Sequence, residues 1–297
     1  MATTRTSKVV KLPDADWINP AENPERANAE IAALLAETTR ADIPIIEPPE
    51  DDLVHLPGGL VKGGKVHRTA VVKELTGEDE EALARASQSL NPYHFIDRLL
   101  KCGVVQIGDL PEHQTEAHLK DLLVGDREQL ILGIRRATYG EEVEVPDWRC
   151  SSCGNVATLT MELDDIPSVS LSNPLEEISF DVSLRKGGVA RVRLATGEDH
   201  TAIYENKEIT QAQRETILLS RCVMKITQPS GMEQNVAGYP SIVRNMSVPD
   251  RHKILRELRN RQPGPKYDDI HYTCEACGEE VTVVVGIGNL FLDFGWL

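Results

Sequence analysis

Apolar and polar residues alternate on both sides of a Gly-Gly pair in the C-terminal half of the chain. The alternation covers residues 178–184, stops at residues 186–188 and resumes over residues 190–194. Because every second residue is apolar, the pattern predicts two strands that bury one face and are joined by a tight turn. A similar pattern surrounds residues 62–64, which predicts a second hairpin nearer the N-terminus.

Helices are predicted after each hairpin. Thr76 and Asp79 form a capping pair for a helix over residues 78–89, and Pro92 suits the first turn of a helix over residues 91–102. The other helices are expected at residues 126–138, 198–205 and 210–224 and from Ser247 to Arg261, and further strands at residues 157–163, 281–287 and 290–294.

The first part of the chain, residues 1–57, lacks such patterning. It contains seven prolines, and its acidic residues outnumber its basic ones. Only residues 27–38 have the spacing of a short helix, so this part cannot bury enough apolar surface to fold alone. We expect an extended N-terminal arm that is disordered in the free chain and becomes ordered on a partner.

The rest of the chain repeats itself. Residues 124–135 match residues 248–259 without a gap, and Gly-Gly turns and Thr-Gly-Glu-Asp segments precede both copies in the same order. Two copies suit a pseudo-twofold pair better than a solenoid. The predicted fold is α+β and internally duplicated, with halves at residues 58–167 and 168–297. Each half holds a hairpin, helices, a Cys-x-x-Cys-Gly knuckle and a strand.

The two knuckles carry the strongest chemical signal in the chain. Each Cys-x-x-Cys turn aims two thiolates at one point, so two turns complete a tetrahedral site that is zinc-ribbon-like. Zinc is the metal expected, as one structural ion, with iron second. The alternatives are a redox-active dithiol, two disulfides, or a metal site that this protein has lost. The predicted ligands are Cys150, Cys153, Cys274 and Cys277.

Several other residues recur in both halves. Trp148 and Tyr272 precede the knuckles by two residues, and we expect them to shield the metal from opposite sides. Cys102 and Cys222 are interpreted as buried apolar residues rather than ligands. The matched pairs Asp126-Arg127 and Asp250-Arg251 open two helices; a helix-capping acid with a structural ion pair is favoured over partner recognition.

Composition narrows the class of protein. The 297 residues carry a net charge of −15, which argues against a nucleic-acid surface. No apolar run reaches membrane-spanning length, and no secretory signal opens the chain. Six cysteines, four of them in knuckles, indicate a reducing compartment. Phosphate-loop, nucleophile-elbow and catalytic histidine motifs are missing, so the sequence gives no catalytic residues and no case for an enzyme.

The chain resembles the bacteriophage T4 baseplate protein family. The likeness rests on residues 56–59 (Leu-Pro-Gly-Gly), 75–80, 121–130 and 134–140, followed by the first knuckle. It implies a non-enzymatic tail protein that contacts hub and wedge subunits in several copies. The resemblance places it in the virion tail baseplate, made and assembled in the host bacterial cytoplasm. A non-virion assembly chaperone of the baseplate hub is the alternative within the family.

Two other classes of protein would use the same four cysteines. A zinc-ribbon protein of nucleic-acid binding or transcription would need a basic face, and residues 251–266 offer a modest one. An iron-bearing electron carrier would use the four thiolates at a redox centre. The overall acidity disfavours the first, and colour distinguishes the second, because an iron–thiolate protein is red.

Overall fold

A computed structural model describes residues 51–89, 91–205 and 209–283, together with Asn28 and Leu290. Met1–Pro48 and Pro49–Leu297 are separate units, and all the elements below belong to the second. The predicted arm helix at residues 27–38, and the strand residues predicted beyond Val283, lie outside the described residues, apart from the isolated positions Asn28 and Leu290.

The described residues form nine α-helices and five small sheets, so the prediction of a mixed helix-and-sheet fold is confirmed. None of these helices combines the length and the apolarity that crossing a bilayer requires. The elements up to residue 169 are β1 (Asp51–Lys62), β2 (Lys65–Lys73), α1 (Gly77–Ser87), α2 (Pro92–Gly103), β3 (Val104–Ile107), α3 (Glu112–His118), α4 (Val124–Tyr139), β4 (Glu142–Arg149), β5 (Val156–Glu162) and β6 (Ser168–Val169).

The elements that follow repeat much of this order. They are α5 (Pro174–Glu177), β7 (Ser179–Ser183), β8 (Val189–Arg193), α6 (Gly197–Ile203), α7 (Gln211–Cys222), β9 (Val223–Thr227), β10 (Glu233–Asn235), α8 (Pro240–Arg244), α9 (Val248–Arg261), β11 (Gly264–Pro265), β12 (Ile270–Thr273) and β13 (Glu280–Val283).

The two larger sheets have the same arrangement. In the first, the strand order is β1-β2-β3, and in the second it is β10-β9-β8-β7. In both, an antiparallel hairpin is followed by two helices and then by a third strand that pairs with the second strand of the hairpin. The two predicted Gly-Gly hairpins are therefore confirmed.

Local capping explains where the helices begin. The Thr76 side chain and Asp79 form a reciprocal capping box at α1, and Thr196 and Asp199 form the same box at α6. The Ser247 hydroxyl accepts a hydrogen bond from the backbone N–H of Asp250 and so starts α9. These polar side chains satisfy N–H groups that the first helical turn leaves without partners. The predicted helices are confirmed to within a few residues.

Strand β1 extends into the residues predicted for the N-terminal arm, which we bounded at residue 57. Strand β1 begins at Asp51, and the side chains of Val54 and Leu56 are buried in the core. Pro57 misled the prediction because proline usually excludes a central strand. Here β1 is an edge strand, and its register shifts between His55 and Leu60, which accommodates the proline.

Two apolar cores lie under the two sheets, and each receives residues from the other half. The first core is built from residues 54–166, but Ile270, Val283 and Leu290 also pack into it. The second core is built mainly from residues 171–258, and Leu123 joins it. The C-terminal segment therefore crosses over to the first core, which brings the second knuckle to the first.

The crossing point is a close backbone contact. A Cβ atom on Gly125 in α4 would lie 1.6 Å from the carbonyl oxygen of Pro263, and one on Gly264 would lie 2.5 Å from the Cα of Gly125. Only glycine permits this approach. Next to it, β11 pairs with β6, and the backbone N–H of Lys266 donates to the carbonyl oxygen of Pro167 at 2.7 Å, so the segment that leaves α9 is fixed where the first half ends.

Candidate metal centre

The first knuckle is the turn of a two-stranded hairpin formed by β4 and β5. Within it, the backbone N–H of Cys150 donates to the carbonyl oxygen of Asn155 at 2.9 Å, and that of Gly154 donates to the carbonyl oxygen of Cys150 at 2.9 Å. Gly154 has a φ of +74°, a conformation that favours glycine. The Cys-x-x-Cys-Gly spacing of the motif thus corresponds to one tight turn.

The second knuckle repeats this geometry in the hairpin of β12 and β13. The backbone N–H of Cys274 donates to the carbonyl oxygen of Glu279 at 2.9 Å, and that of Gly278 donates to the carbonyl oxygen of Cys274 at 2.7 Å. Gly278 has a φ of +72°. The two turns are therefore built in the same way from sequences that share only the cysteines and the glycine.

The four knuckle sulfurs converge on one point. The Sγ atoms of Cys150 and Cys277 are 3.9 Å apart, as are those of Cys153 and Cys274, and all four lie within 4.8 Å of one another. In a regular tetrahedron with metal–sulfur bonds of about 2.3 Å, the sulfurs would be about 3.8 Å apart. All six cysteines are free of disulfides. This spacing suits a metal ion bound by sulfur from both halves.

The environment of the sulfurs is half apolar and half open. Cys150 and Cys274 are buried with Val281, whereas Cys153 and Cys277 are exposed. The first cysteine of each knuckle thus anchors the cluster to the protein, and the second closes it towards solvent. Four thiolates would complete the tetrahedral coordination shell of a metal ion and leave no position for a substrate. The arrangement is therefore typical of a structural site.

Trp148 and Tyr272 do not flank the cluster from opposite sides, as the sequence led us to expect. Their rings meet edge to face, with centroids 5.3 Å apart and planes at 80°. Both pack against the buried cysteines. Because the two knuckles face each other, residues at matching positions before them come together on one side, where they form a single apolar cover.

The thiols titrate unequally. The backbone N–H of Cys153 lowers the pKa of the Cys150 thiol to about 7. For Cys277, the backbone N–H of Glu279 lowers the pKa, but desolvation and the other three sulfurs raise it to about 12. Four negative sulfurs repel one another, so one thiol ionises readily and another resists. A divalent cation would remove this conflict by stabilising every thiolate.

The remaining two cysteines lie away from this cluster, as predicted. Cys102 and Cys222 are buried at the ends of α2 and α7. Desolvation raises the pKa of Cys102 to about 11 and that of Cys222 to about 12, so both stay protonated and apolar at neutral pH. Their matching places reflect the parallel order of the two halves.

The Asp-Arg pair at the start of α4 has two separate structural tasks. The Asp126 carboxylate accepts hydrogen bonds from the backbone N–H groups of Gly58 and Gly59 at 2.6 and 3.3 Å. The Arg127 guanidinium bonds Asp97 of α2 at 2.6 Å. The predicted structural ion pair is therefore present, but its acid is Asp97. Sequence reasoning missed both partners, because they are distant along the chain.

The second Asp-Arg pair has related tasks in α9. The Asp250 carboxylate accepts from the backbone N–H of Arg185, in the turn between β7 and β8, at 2.8 Å. Arg251 donates to the Thr216 hydroxyl on α7 at 2.9 Å. In both halves, then, the acid binds backbone of the hairpin and the arginine binds the second helix.

Arg135 connects α4 to the β4–β5 hairpin, which carries the first knuckle. Its guanidinium donates to the carbonyl oxygens of Gly140 and Glu142 at 3.1 and 2.9 Å. Those two residues lead directly into β4, which ends one residue before Cys150. The central helix of the first half therefore sets where the first knuckle begins.

A comparison with known protein families gives one match. The sequence model described as T4 bacteriophage base plate protein matches residues 60–292, which include both knuckle hairpins and all four clustered cysteines. No curated protein and no solved structure matches the chain. Because the family match covers most of the 297 residues, the chain belongs to the T4 bacteriophage base plate protein family.

Proposed function

We propose that this protein is a structural and assembly subunit of a contractile phage tail baseplate, in which one zinc ion clasps its two halves into a rigid block. The observation that carries the proposal is the convergence of four sulfurs from two hairpins in a chain of this family. The block binds hub and wedge subunits of the baseplate, and the arm at residues 1–57, whose last residues belong to β1, lies along one of them.

Duplication of an ancestral unit accounts for the paired features. In both sheets a third strand pairs with the second strand of a hairpin, although the second sheet has the additional strand β10, and the two knuckles have matching hydrogen bonds. The acid and the arginine at the start of α4 bind the same kinds of element as those at the start of α9. Agreement at three levels of structure supports halves at residues 58–167 and 168–297 that are related by a pseudo-twofold axis.

Zinc is the metal that best suits this donor set. Thiolates select soft cations, and a tetrahedral four-sulfur cage is typical of structural zinc. Cys153 and Cys274 are separated by 121 positions, so the ion closes a long loop between the halves. Structural zinc in small peptides contributes about 10–16 kcal/mol of binding free energy. That is enough to keep the C-terminal segment seated on the first core.

A role in binding rather than catalysis follows from the same geometry. A fourth sulfur occupies the position that a catalytic zinc leaves open for water or substrate. The family is one of baseplate proteins, and this supports other tail subunits as partners. A nucleic-acid role is disfavoured because residues 141–165 and 267–283, which hold the cysteines, contain twelve acidic residues and one arginine.

Assembly of tails in infected cells tests this proposal. A chain with Cys150→Ser and Cys274→Ser would lose the buried half of the cage, while Cys102→Ser changes a cysteine that is also buried but lies outside it. We expect mass spectrometry to detect the wild-type and Cys102→Ser chains in purified tails and to find the double variant strongly depleted. Absence of the wild-type chain from finished tails that need it for assembly would identify a chaperone instead.

A further inference from the structure

The exposed basic side chains of α8 and α9, here called the α8–α9 face, include two that have no partner among the described residues. Residues 240–261 contain six Arg or Lys and only two acidic residues, in a chain of net charge −15. Arg244 and Arg256 are exposed, and within the described residues neither has an ion pair or a hydrogen bond from its side chain. Tyr239, which precedes α8, and Val248, the first residue of α9, are 59% and 60% exposed. Exposed arginine with tyrosine and aliphatic residues is the composition of a protein interface.

The opposite charge collects on the hairpin of the first knuckle. Glu142, Glu144 and Glu162 are all exposed on β4 and β5. Glu142 and Glu162 are direct cross-strand partners. Like charges placed opposite each other destabilise a hairpin, and no cation of the described residues pairs with these three. Cationic side chains of another molecule bound here would offset the repulsion between these glutamates and so favour the contact.

We propose that the basic α8–α9 face of one copy docks on the acidic β4–β5 face of a second copy, so that copies associate head to tail. Each copy carries both groups of side chains, and the two groups carry opposite charge. The two faces differ from each other, so the contact is heterologous and continues from copy to copy into a ring or a filament. Tyr239 and Val248 supply the apolar centre, and the arginines supply the rim.

The contact between the two faces should weaken as the salt concentration rises. Exposed charges separated by more than about 8–10 Å are screened at ionic strengths above about 0.1 M. In sedimentation velocity, the full-length chain with its metal should associate in about 20 mM NaCl and dissociate largely in about 300 mM NaCl. A chain that stays monomeric at low salt up to about 100 µM would overturn the proposal.

Charge reversal identifies the faces. Arg244→Glu with Arg256→Glu should weaken self-association about tenfold or more, and so should Glu142→Lys with Glu144→Lys. Lys62→Glu with Arg98→Glu is the control for the arginine pair, because it changes net charge by the same amount at two exposed cations of the first half. The control should associate as the wild type does. Circular dichroism confirms that each variant is folded.

Mixing the two double variants is the decisive step. Neither variant should associate alone. In the mixture, the unchanged acidic face of the arginine variant meets the unchanged basic face of the glutamate variant. The two charge-reversed faces also carry opposite charge and can pair with each other. We expect the mixture to recover association to within about threefold of the wild type. If the mixture remains monomeric, or if the control loses association as strongly as the paired variants, the head-to-tail contact is wrong. Either result would leave the baseplate role and the metal centre untouched.

Discussion

Helices α4 and α9 arise from matching sequence segments, yet they occupy opposite environments. In α4, nine residues are buried, among them Asp126, Arg127 and Arg135. In α9, only Asp250, Ile254 and Leu258 are buried. The shared apolar and Asp-Arg pattern fixes which face points inward, but the neighbours decide how much else is covered. Helix α4 is therefore enclosed by its neighbours, whereas α9 lies at the surface.

Glycine is the main sequence difference behind this contrast. A Cβ on Gly133 would lie 2.3 Å from a methyl group of Val54, so β1 packs directly on α4. Gly125 permits the backbone of Pro263 to approach from another side. The matching positions of α9 are Pro249 and Glu257, which cannot accept such neighbours. Small residues therefore allow α4 to be enclosed, whereas α9 stays open to partners.

Removing the two arginines should show the largest difference between the helices. Arg127→Ala breaks an ion pair with Asp97 whose side chains are 4% and 11% exposed, and we expect a loss of about 3–5 kcal/mol in unfolding free energy. Arg251→Ala removes hydrogen bonds to neutral groups and should cost about 1 kcal/mol. Urea denaturation measures both. Equal losses would contradict the difference in burial.

Adding one methyl group tests the enclosure of α4 directly. Gly125→Ala places a Cβ against a backbone oxygen that no side-chain rotation can move, so we expect a cost of about 3 kcal/mol or failure to fold. Pro249→Ala, at the matching position of α9, should change stability by less than about 1 kcal/mol. Thermal unfolding followed by circular dichroism compares them. A well-folded Gly125→Ala variant of unchanged stability would show that α4 and Pro263 are not in contact.

The paired aspartates should respond to pH in opposite directions. Desolvation raises the pKa of Asp126 to about 6 despite two backbone N–H donors. For Asp250, desolvation acts the same way, but hydrogen bonds from Ser247 and Arg185 leave its pKa lowered. Ionised Asp126 therefore costs stability as pH rises from about 4 to above 6, whereas ionised Asp250 contributes stability that is lost as pH falls.

Asparagine variants isolate these contributions. Relative to Asp126→Asn, the wild type should lose roughly 2–3 kcal/mol between pH 4 and pH 7. Relative to Asp250→Asn, the wild type should lose stability mainly as pH falls below about 4, through the lowered pKa of Asp250. Denaturation at several pH values measures each difference, and the titration of all other groups cancels in it. A flat difference for Asp126 would mean that its carboxyl group is well solvated.

The smallest effect concerns how the helices begin. Ser247 caps α9 through its hydroxyl, whereas Leu123 precedes α4 without a side-chain cap and is buried in the second core. Ser247→Ala should cost about 1 kcal/mol, and Ser247→Thr should restore most of it. Unfolding free energies of the three proteins provide the comparison. If alanine and threonine behave alike, the capping hydrogen bond does not contribute.

Much of the fold was predictable because its signals are local. The Gly-Gly turns, the capping pair Thr76-Asp79 and the cap at Ser247 act within a few residues, so the hairpins and helices follow from them. The cysteine spacing also pointed to one cluster, and the four sulfurs do lie together. These are features whose physical cause is contained in a short stretch of chain.

The rest depended on contacts that no short pattern encodes. Asp126 and Gly58 are 68 positions apart, and only the folded sheet brings them together. Packing of Ile270 and Val283 on the first core, rather than on their own half, likewise arises from the tertiary fold. The start of β1 was not predicted because proline is unusual within a strand, and only the folded sheet shows that Pro57 lies where the register of β1 shifts. Long-range packing, rather than propensity, decided each of these.

One measurement tests the central claim, that a single ion bound by both halves joins them. Zinc K-edge X-ray absorption, with metal quantified on the purified full-length chain, reports the ion, its ligands and its stoichiometry together. We expect one zinc per chain, surrounded by four sulfurs at about 2.3 Å, and no bound zinc after Cys150→Ser with Cys274→Ser. A metal-free wild-type chain that is folded, or zinc bound by fewer than four sulfurs, would contradict the claim.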